Sequence, residues 1–375
     1  MKLIIASDNY LPRWDGIARF LSEITPILAK NFEITLIVPN FGETKEKDLK
    51  IEKIPVKKIS LGDFQPAKIQ YARIRSIIKE ADAVFTQTIG PIGICSIIAA
   101  KRLSKPLISF IHSIEWELFP KAVSSPIAKK ILYPLSKKFV RFLYNKSNLL
   151  IVPASNIADM LGWQNISTRK KVVHLGVNTD KFQKENKEQA KKKLKLDPKE
   201  LIIGYHGRLG REKDLKTLLR AFLRIRKENQ QIKLMIVGSG ARDVEKLFKN
   251  KEGIIFPGPQ NKVIPWIQAM DIYVLPSLTE TSSLSTLEAM SCEIPVIATK
   301  VGFVKDYLED GINGLFFRQK NPFDLYKKIK MLINDPKLRE KLGTNARKKI
   351  IEEFQWNITA ERIEKAINEL VEKEN

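Results

Sequence analysis

The chain of 375 residues has little cysteine and histidine and no long hydrophobic run, and each shortage excludes a class of protein. Its two cysteines, Cys95 and Cys292, cannot form a disulfide framework, so we expect a reducing, cytoplasmic environment. The longest apolar run, Ile89–Ala100, has 12 residues, whereas a membrane-spanning helix needs roughly 18. Asp8 interrupts the first apolar run too early for a signal peptide. The three histidines form no cluster with metal-ligand spacing, so we expect no metal ion.

Acidic residues are scarce relative to basic ones. The chain has 42 Asp and Glu against 65 Lys and Arg, a net charge of +23. Such an excess favours polyanionic partners, namely nucleic acid, anionic lipid surfaces or phosphate-bearing small molecules. The alternative is a lysine-rich surface without a dedicated partner. The apolar content of 43% is ordinary for a soluble globular protein.

Short β-branched runs alternate with longer amphipathic runs, which predicts an α/β fold with parallel sheets. The predicted strands of the first half are Lys2–Ser7, Glu33–Pro39, Ala83–Thr88, Leu107–His112, Leu149–Pro153 and Val172–Leu175. Those of the second half are Leu201–Tyr205, Lys233–Val237, Ile254–Phe256, Ile272–Leu275, Pro295–Ala298 and Leu315–Phe317. Between the two halves the highly charged segment Asn178–Glu200 is predicted to be a linker with one exposed helix.

We therefore predict two doubly wound, Rossmann-like domains facing a central cleft, residues 1–178 and 179–355. A final helix, residues 356–375, is expected to pack back toward the first domain. Ligands of open parallel sheets bind at the carboxyl ends of the strands, so polar residues there are the candidates for chemistry.

One such group follows the predicted strand Ile272–Leu275. The strand ends in Pro276-Ser277, Glu280 lies on a polar loop, and a helix is expected to open near Ser283–Ser285 with Glu288 about one turn in. The free N–H groups and dipole of a helix N-terminus suit a phosphate. A capped helix with two solvated glutamates is the alternative.

A second group follows the predicted strand Leu201–Tyr205 and includes Gly207-Arg208 and Lys213. Two fixed cations can hold a diphosphate, Arg208 through its fork and Lys213 as a point charge, and can stabilise it as a leaving group. Ordinary solvated loop cations are the alternative, most clearly for Arg211.

Together with other motifs in the same order, these groups resemble the GT-B-fold retaining glycosyltransferases of family 4, the glycosyl transferases group 1. The resemblance covers nearly the whole chain. Its further elements are the Gly16 loop, His112 after a strand, Val173–Asp180, Val237–Gly240, Phe256–Gly258 and Asp310–Gly314. The chain departs from many members at Asp15-Gly16, where they carry Gly-Gly, and at Glu280-Thr-Ser-Ser, where they carry Glu-Gly-Phe-Gly.

The resemblance implies roles for individual residues. Arg208 and Lys213 would bind the donor diphosphate, Glu280 the sugar hydroxyls and Glu288 the ribose, while His112 would lie beside the reacting carbon. Other donor contacts are expected at Gly16, Gly238, Gly258, Gln260, Ser283, Leu284 and Ser285. A UDP-sugar is expected as donor in preference to a GDP-sugar, with no separate cofactor.

Between Glu117 and Asp159 the sequence has no acidic residue and seven basic ones, Lys121, Lys129, Lys130, Lys137, Lys138, Arg141 and Lys146. At helical spacing one arc is apolar and contains Ile127, Ile131, Leu135, Phe139, Phe142 and Leu143. The opposite arc contains Lys129, Lys130, Lys137 and Arg141, and Pro134 is expected to kink or split the helix. Such a helix is typical of a membrane-surface element. A core-facing helix with a solvated basic face is the alternative.

Around His112 and this basic helix the chain resembles members of the family that act on lipid acceptors. The resemblance implies a hexosyltransferase that acts on a membrane lipid, of diacylglycerol type or another glycolipid precursor, at the inner face of the cell membrane. Its expected partners are a nucleotide sugar and an anionic membrane surface, and not nucleic acid. The alternatives are a soluble or polysaccharide acceptor, an epimerase or phosphorylase of related fold, and a non-catalytic protein that binds polyanions.

Overall fold

The computed structural model describes residues 1–13, 15–43, 49–59, 65–118, 125–280 and 282–374. The chain forms two compact units, Met1–His174 with Trp356–Asn375, and Leu175–Gln355. The N-terminal segment of the first unit ends at His174, four residues before the predicted boundary at residue 178. Among the described residues, no helix combines the length and the apolarity needed to cross a membrane.

The first unit is built on a parallel sheet whose seven described strands have the order β3-β2-β1-β4-β5-β6-β7. They are β1 (Lys2–Ala6), β2 (Glu33–Pro39), β3 (Lys50–Ile54), β4 (Ala83–Thr86), β5 (Leu107–Phe110), β6 (Leu149–Val152) and β7 (Lys170–Val172). The helices between them are α1 (Gly16–Leu28), α2 (Tyr71–Lys79), α3 (Pro91–Arg102), α4 (Glu115–Leu118), α5 (Pro126–Tyr144) and α6 (Ser155–Trp163). The central strands are apolar runs because helices cover both faces of a doubly wound sheet.

The second unit contains a parallel sheet with the order β10-β9-β8-β11-β12-β13. Its strands are β8 (Leu201–His206), β9 (Ile232–Val237), β10 (Ile254–Gly258), β11 (Ile272–Leu275), β12 (Val296–Thr299) and β13 (Leu315–Phe317). Its helices are α7 (Lys187–Lys193), α8 (Leu215–Glu228), α9 (Arg242–Glu245), α10 (Ile264–Gln268), α11 (Leu284–Ser291), α12 (Val304–Tyr307), α13 (Pro322–Asn334) and α14 (Pro336–Glu353). Both units are therefore Rossmann-like.

The charged segment before β8 is more deeply packed than its composition predicts. Lys191 of α7 is buried, and its Nζ lies 2.8 Å from Oδ2 of Asp271 and donates to the carbonyl of Glu200 at 2.6 Å. The same Asp271 oxygen accepts the backbone N–H of Ile202 at 2.8 Å. The prediction of an exposed linker helix is wrong at this point, because a paired and hydrogen-bonded lysine can be buried.

The last helix, α15 (Trp356–Glu374), belongs to the first unit, where it packs against α1. The ring of Trp356 lies 5.9 Å from that of Phe20 of α1, centroid to centroid. At the surface Asn31 donates to the carboxylate of Glu364 at 2.9 Å. The first unit is therefore completed by a segment that follows the second unit in the chain.

Candidate active site

The polar residues predicted to bind the donor lie where β8 and β11 end. These strands are neighbours and run parallel, so their carboxyl ends meet at the same edge of the sheet. His206 is the last residue of β8, and Ser277 follows β11 after Pro276. Side chains from two loops and from α11 come together at this edge.

Lys213 and Glu280 are in direct contact. The Nζ of Lys213 lies 2.6 Å from Oε1 of Glu280, and Ser277 Oγ donates to the same oxygen at 2.7 Å. The Lys213 side chain is 17% exposed and that of Glu280 only 5%. The sequence places Ser277 in this group, two residues after β11, but does not predict its hydrogen bond to Glu280. We call Lys213, Ser277 and Glu280 the carboxylate cluster.

The backbone of the Glu280 loop is held by the last residue of β12 and by Gly302, which follows that strand. Thr299 Oγ1 donates to the carbonyl of Ser277 at 2.5 Å. Gly302 has a φ of +48°, and a Cβ at this position would lie 1.8 Å from the Glu280 carbonyl oxygen. Any larger residue at 302 would therefore displace the backbone that carries Glu280.

Arg208 has a carboxylate partner outside the carboxylate cluster. Its Nη2 forms an ion pair with Glu212 Oε1, and its side chain is 70% exposed. Among the described residues no hydrogen bond or ion pair joins Arg208 to Lys213 or Glu280. The two cations predicted to hold one diphosphate thus each have their own carboxylate partner, and Glu212 is a neighbour that the sequence did not single out.

His206 and Glu288 form a second, buried pair. The Nε2 of His206 lies 2.6 Å from Oε2 of Glu288, which α11 carries in from the neighbouring strand–helix unit. Next to the pair, Tyr273 donates its hydroxyl hydrogen to Ser285 Oγ at 3.0 Å. Burial holds the pKa of Tyr273 above its usual range, so this hydroxyl stays a donor. The sequence singled out Glu288 but not its histidine partner.

The N-terminus of α11 lies in the same region. The helix begins at Leu284, within the predicted window, and Ser283 precedes it. The Oγ of Ser283 lies 2.8 Å from Thr286 Oγ1 and 3.2 Å from Ser285 Oγ. Thr281, part of the same motif, is outside the described residues.

The loops after β8, β9 and β10 pass close to one another. Gly238 has a φ of +137°, and a Cβ there would lie 2.0 Å from the carbonyl oxygen of Gly207, so only glycine allows this approach. Gly258 ends β10, and Gln260 donates to the carbonyl of Pro257 at 3.0 Å. The predicted donor residues Gly238, Gly258 and Gln260 therefore lie at the carboxyl ends of β9 and β10.

In the first unit His112 follows β5. Its Nε2 lies 2.9 Å from Oε1 of Gln87, and its ring stacks on Phe110 with centroids 4.4 Å apart. The ring of Phe20 approaches edge-on at 4.9 Å. This burial lowers the pKa of His112 to about 3, so the imidazole is neutral at physiological pH. Gln87, directly after β4, was not predicted from the sequence.

Gly16 is the first residue of α1, and Asp15 caps that helix. The Oδ1 of Asp15 accepts the N–H groups of Ile17 at 2.9 Å and Ala18 at 2.8 Å. A Cβ on Gly16 would meet no atom within 4 Å. At the position where the chain departs from the family pattern, Asp15 thus serves as the N-cap of α1, a position at which Asp is strongly preferred.

Two further acidic residues of the first unit were missed by sequence reasoning. Asp8 follows β1 and is buried, where it accepts hydrogen bonds from Thr88 Oγ1 at 2.7 Å and from the N–H of Ile92 at 2.8 Å, capping α3. Glu115 of α4 is buried beside Tyr144, and Ser113 Oγ donates to its Oε1 at 3.4 Å. Burial raises the pKa of Glu115 to about 7.

The predicted apolar arc of α5 is partly buried and partly exposed. Ser136, Val140, Leu143 and Tyr144 are buried against the first unit, so Leu143 belongs to the core. The other five apolar residues, which we call the apolar stripe, are exposed: Ile127, Ile131, Leu135, Phe139 and Phe142. The helix is continuous through Pro134 rather than split, since packing of Ser136 and Val140 holds the part that follows.

Basic residues accompany the apolar stripe along α5. Lys129 and Lys130 are exposed, whereas Lys137 and Arg141 are half-buried. The Nζ of Lys146 lies over the ring of Phe142, 4.2 Å from its centroid. Lys121 is outside the described residues. Within the apolar stripe, Ile131 is 56% exposed and Leu135 is 57% exposed.

Two family models match the chain. The one described as Glycosyltransferase Family 4 matches residues 14–181, and the one described as Glycosyl transferases group 1 matches residues 186–349. Together they cover most of the sequence.

Two relatives and one solved structure match this chain over nearly its whole length. The capsular polysaccharide biosynthesis glycosyltransferase CapM of Staphylococcus aureus is 25% identical over 381 residues, 97% of this chain and 96% of that protein. The alpha-monoglucosyldiacylglycerol synthase of Streptococcus pneumoniae is 24% identical over 387 residues, 98% of this chain and 85% of that protein. The crystal structure of Anabaena HepE in complex with UDP-glucose has a TM-score of 0.77 at 17% identity and covers 98% of this chain and 100% of that one.

The likeness to HepE establishes the fold, and the two family models, each on its own half of the chain, establish the kinship. With paired carboxylates and cations at the strand ends of the second unit, the chain belongs to the GT-B glycosyltransferases of family 4.

Proposed function

We propose that this glycosyltransferase moves a hexose from a nucleotide diphosphate sugar to a hydroxyl group of a membrane lipid, with retention of configuration. The observation that carries the donor half of this proposal is the carboxylate cluster beside the His206–Glu288 pair. It places a cation, two carboxylates and the N-terminus of α11 at one edge of a parallel sheet.

Lys213 is suited to act on the leaving group. An ammonium group has three donors, and the contact with Glu280 uses one of them, which leaves donors for a diphosphate oxygen. The exposed Arg208 adds a planar guanidinium group, whose N–H groups can bind two phosphate oxygens at once. Preorganised cations aimed at a developing negative charge are usually a large term in catalysis.

Glu280 and Glu288 are suited to sugar hydroxyls. A carboxylate accepts two hydroxyl hydrogens at once, and both side chains are held by hydrogen bonds at fixed positions. We propose that Glu280 binds the transferred hexose and Glu288 the ribose, with the glycines and serines of the same edge around the nucleotide. A UDP-sugar is the favoured donor, a choice supported by the bound UDP-glucose of HepE.

In the proposed reaction the bond between the anomeric carbon and the diphosphate oxygen breaks. The acceptor oxygen forms its bond to that carbon on the face from which the diphosphate leaves, so the configuration is retained, and the proton of the acceptor hydroxyl passes to the departing diphosphate oxygen. The second unit contributes cations for the departing diphosphate, and the first unit contributes the neutral imidazole of His112. No protein nucleophile and no metal ion enter this scheme.

For the acceptor, the exposed apolar stripe of α5 supports a lipid. An amphipathic helix with apolar residues on one side and lysines beside them binds anionic bilayer surfaces. The alpha-monoglucosyldiacylglycerol synthase relative acts, by its name, on a lipid of this kind. We therefore propose peripheral attachment to the inner face of the cell membrane. A polysaccharide acceptor is the second candidate, favoured by the likeness to CapM.

The deciding experiment is a panel of radiolabelled UDP-, GDP- and ADP-hexoses incubated with the purified protein. Each donor is tested for hydrolysis alone, for transfer to a bacterial lipid extract and for transfer to capsular polysaccharide. We expect label from a UDP-hexose in the lipid fraction. NMR of the product should show the same anomeric configuration as in the donor. Label only in the polysaccharide fraction would replace the lipid with the second candidate, and no transfer from any donor would overturn the proposal.

A further inference from the structure

The second unit contains a cavity of about 590 Å³ whose lining includes no residue of the carboxylate cluster. It lies where β12 and β13 end, at the edge of the sheet, and its lining includes Lys300, Phe316, Arg318, Gln319, Asp324 and Lys328. A volume of this size is typical of sites for small molecules, which occupy roughly 300–1,000 Å³. Nothing in the proposed reaction uses this cavity.

The cavity is positively charged. Three of its lining residues, Lys300, Arg318 and Lys328, are cations, against the one carboxylate of Asp324. That carboxylate is already engaged, since its Oδ2 accepts the backbone N–H of Arg318 at 2.8 Å. An anion entering the cavity would therefore meet three cations and a carboxylate turned to the backbone.

Among the described residues these three cations have no acidic partner, unlike two other lysines of the same unit. Lys330, two residues further along α13, pairs with Glu228 at 2.7 Å, and Lys213 pairs with Glu280. Within the described part of the chain, Lys300, Arg318 and Lys328 form no ion pair. Three like charges around one cavity repel each other, and a bound anion relieves that repulsion.

We propose that this cavity is a second anion-binding site, which takes the phosphate group of a soluble phosphorylated molecule or of a phospholipid headgroup. Arg318 supplies a fork that matches two phosphate oxygens, and Lys300 and Lys328 supply point charges. Phe316, half-buried beneath Lys300 at 5.9 Å, gives the cavity an apolar wall. Gln319 donates to the carbonyl of Leu278 at 2.9 Å and so connects the cavity with the loop that carries Glu280.

The test is a lysine footprint on the full chain with pyrophosphate as the probe. The protein is acetylated briefly with and without pyrophosphate, and the modified fraction of each lysine is read by peptide mass spectrometry. At probe concentrations above the dissociation constant we expect Lys300 and Lys328 to react more than about twofold more slowly. The exposed lysines Lys192, Lys246 and Lys251 serve as controls and should react at unchanged rates.

Arg318→Ala should remove most of this protection, whereas Arg242→Ala, an exposed arginine of α9, should leave it unchanged. Equal reaction of Lys300 and Lys328 with and without pyrophosphate, or equal protection in the two variants, would overturn the inference. Protection of Lys213 in the same spectra reports the donor site separately, so the failure of one proposal is distinguishable from that of the other.

A further pair of samples identifies the source of the phosphate. Vesicles of phosphatidylglycerol are compared with vesicles of phosphatidylcholine at equal lipid concentration. Protection of Lys300 and Lys328 by phosphatidylglycerol vesicles, beyond that of the control lysines, assigns the site to a lipid headgroup. Protection by pyrophosphate alone assigns it to a soluble molecule, and protection by neither probe rejects the site.

Discussion

The imidazole of His206 and the carboxylate of Glu288 are 2.6 Å apart although 82 residues separate them in the chain. The contact joins the last residue of β8 to α11, and both side chains are buried. It therefore fixes the direction of the Glu288 carboxylate before any ligand binds, which reduces the ordering cost of ligand binding.

The variant His206→Ala should lower the free energy of unfolding by about 1–3 kcal/mol, because it removes a hydrogen-bond partner from a buried carboxylate. His206→Gln, which keeps a donor at this position, should recover part of that loss. Urea unfolding followed by circular dichroism at pH 7 measures both. Equal losses in the two variants would show that the pair contributes packing and no hydrogen bond.

The variant Lys213→Ala should lower the turnover of sugar transfer by at least about tenfold, since it removes a charge that stabilises the leaving diphosphate. Arg208→Ala should have an effect in the same direction. Steady-state transfer at saturating donor is the measurement. Lys216→Ala, an exposed lysine at the start of α8, is the matched control for loss of one positive charge. Turnover of Lys213→Ala equal to that control would mean that the carboxylate cluster does not act on the donor.

The variant Glu280→Ala should instead weaken discrimination among donor sugars, because the carboxylate is held ready to accept sugar hydroxyls. Ratios of kcat/KM for UDP-glucose, UDP-galactose and UDP-N-acetylglucosamine measure this effect. Preserved ratios with a uniformly reduced rate would assign Glu280 to holding Lys213 and not to the sugar.

The variant His112→Ala should reduce kcat more than nucleotide affinity, because the imidazole lies in the first unit and not among the donor residues. The pKa of His112 is lowered to about 3, so this residue adds no ionisation to the rate between pH 5 and 8. His112→Asn should accordingly leave the shape of the pH–rate profile unchanged. Weakened nucleotide binding at an unchanged rate would contradict the proposed place of His112.

Membrane attachment is tested by changing Lys129, Lys130, Lys137 and Arg141 together to Gln. Each basic residue near an anionic bilayer contributes about 1 kcal/mol, so the variant should no longer sediment with phosphatidylglycerol vesicles at low salt. Donor hydrolysis should remain. Ile131→Ser with Leu135→Ser should remove the part of the binding that resists salt, since both side chains are exposed.

The matched control replaces four exposed lysines elsewhere in the first unit with Gln, namely Lys30, Lys68, Lys79 and Lys101. It carries the same loss of charge and should still sediment. If both quadruple variants behave alike, the attachment depends on net charge and not on α5, and a soluble acceptor becomes the better interpretation.

Glu115 should make stability depend on pH. Its pKa rises from 4.5 to about 7 in the folded state, so the folded protein holds this proton more tightly than the unfolded chain. The resulting stabilisation is complete below about pH 4.5 and is lost as the pH rises to about 7, a change of at most about 3 kcal/mol. Glu115→Gln should flatten this fall and be more stable than the original protein at pH 8.

Urea midpoints at pH 5 and pH 8 measure the difference. Glu117→Gln, an exposed glutamate of the same short helix, should keep the pH dependence of the original protein. If Glu115→Gln shows the same pH dependence of stability as Glu117→Gln, a group other than Glu115 causes that dependence.

Much of the fold follows from hydrophobic patterning. The central strands are predicted because they are uninterrupted apolar runs, and α11 begins within the predicted window. The edge strand β3 is missed because Lys50, Glu52 and Lys53 give it the composition of a loop, which an edge strand tolerates. The burial of Lys191 is missed for a related reason, since only its distant partner Asp271 makes that burial possible.

The candidate site follows from sequence in its location but not in its contacts. Lys213 and Glu280 are each predicted on a loop after a strand, and their contact depends on β8 and β11 being neighbours in the sheet. The hydrogen bonds of Ser277 and His206 depend on side-chain directions that no local pattern encodes. Sequence reasoning therefore finds residues at strand ends and misses the groups that orient them.

The packing of α15 against α1 has a consequence for biosynthesis. During translation the ribosome completes all of residues 175–355 before it makes Trp356, so the aromatic surface around Phe20 lacks that partner throughout this interval. The nascent first unit thus exposes apolar surface while the second unit already can fold, since domains fold as units during synthesis. The first unit can therefore close its core only after Trp356 and the helix α15 have been made, and not as soon as its first 174 residues are complete.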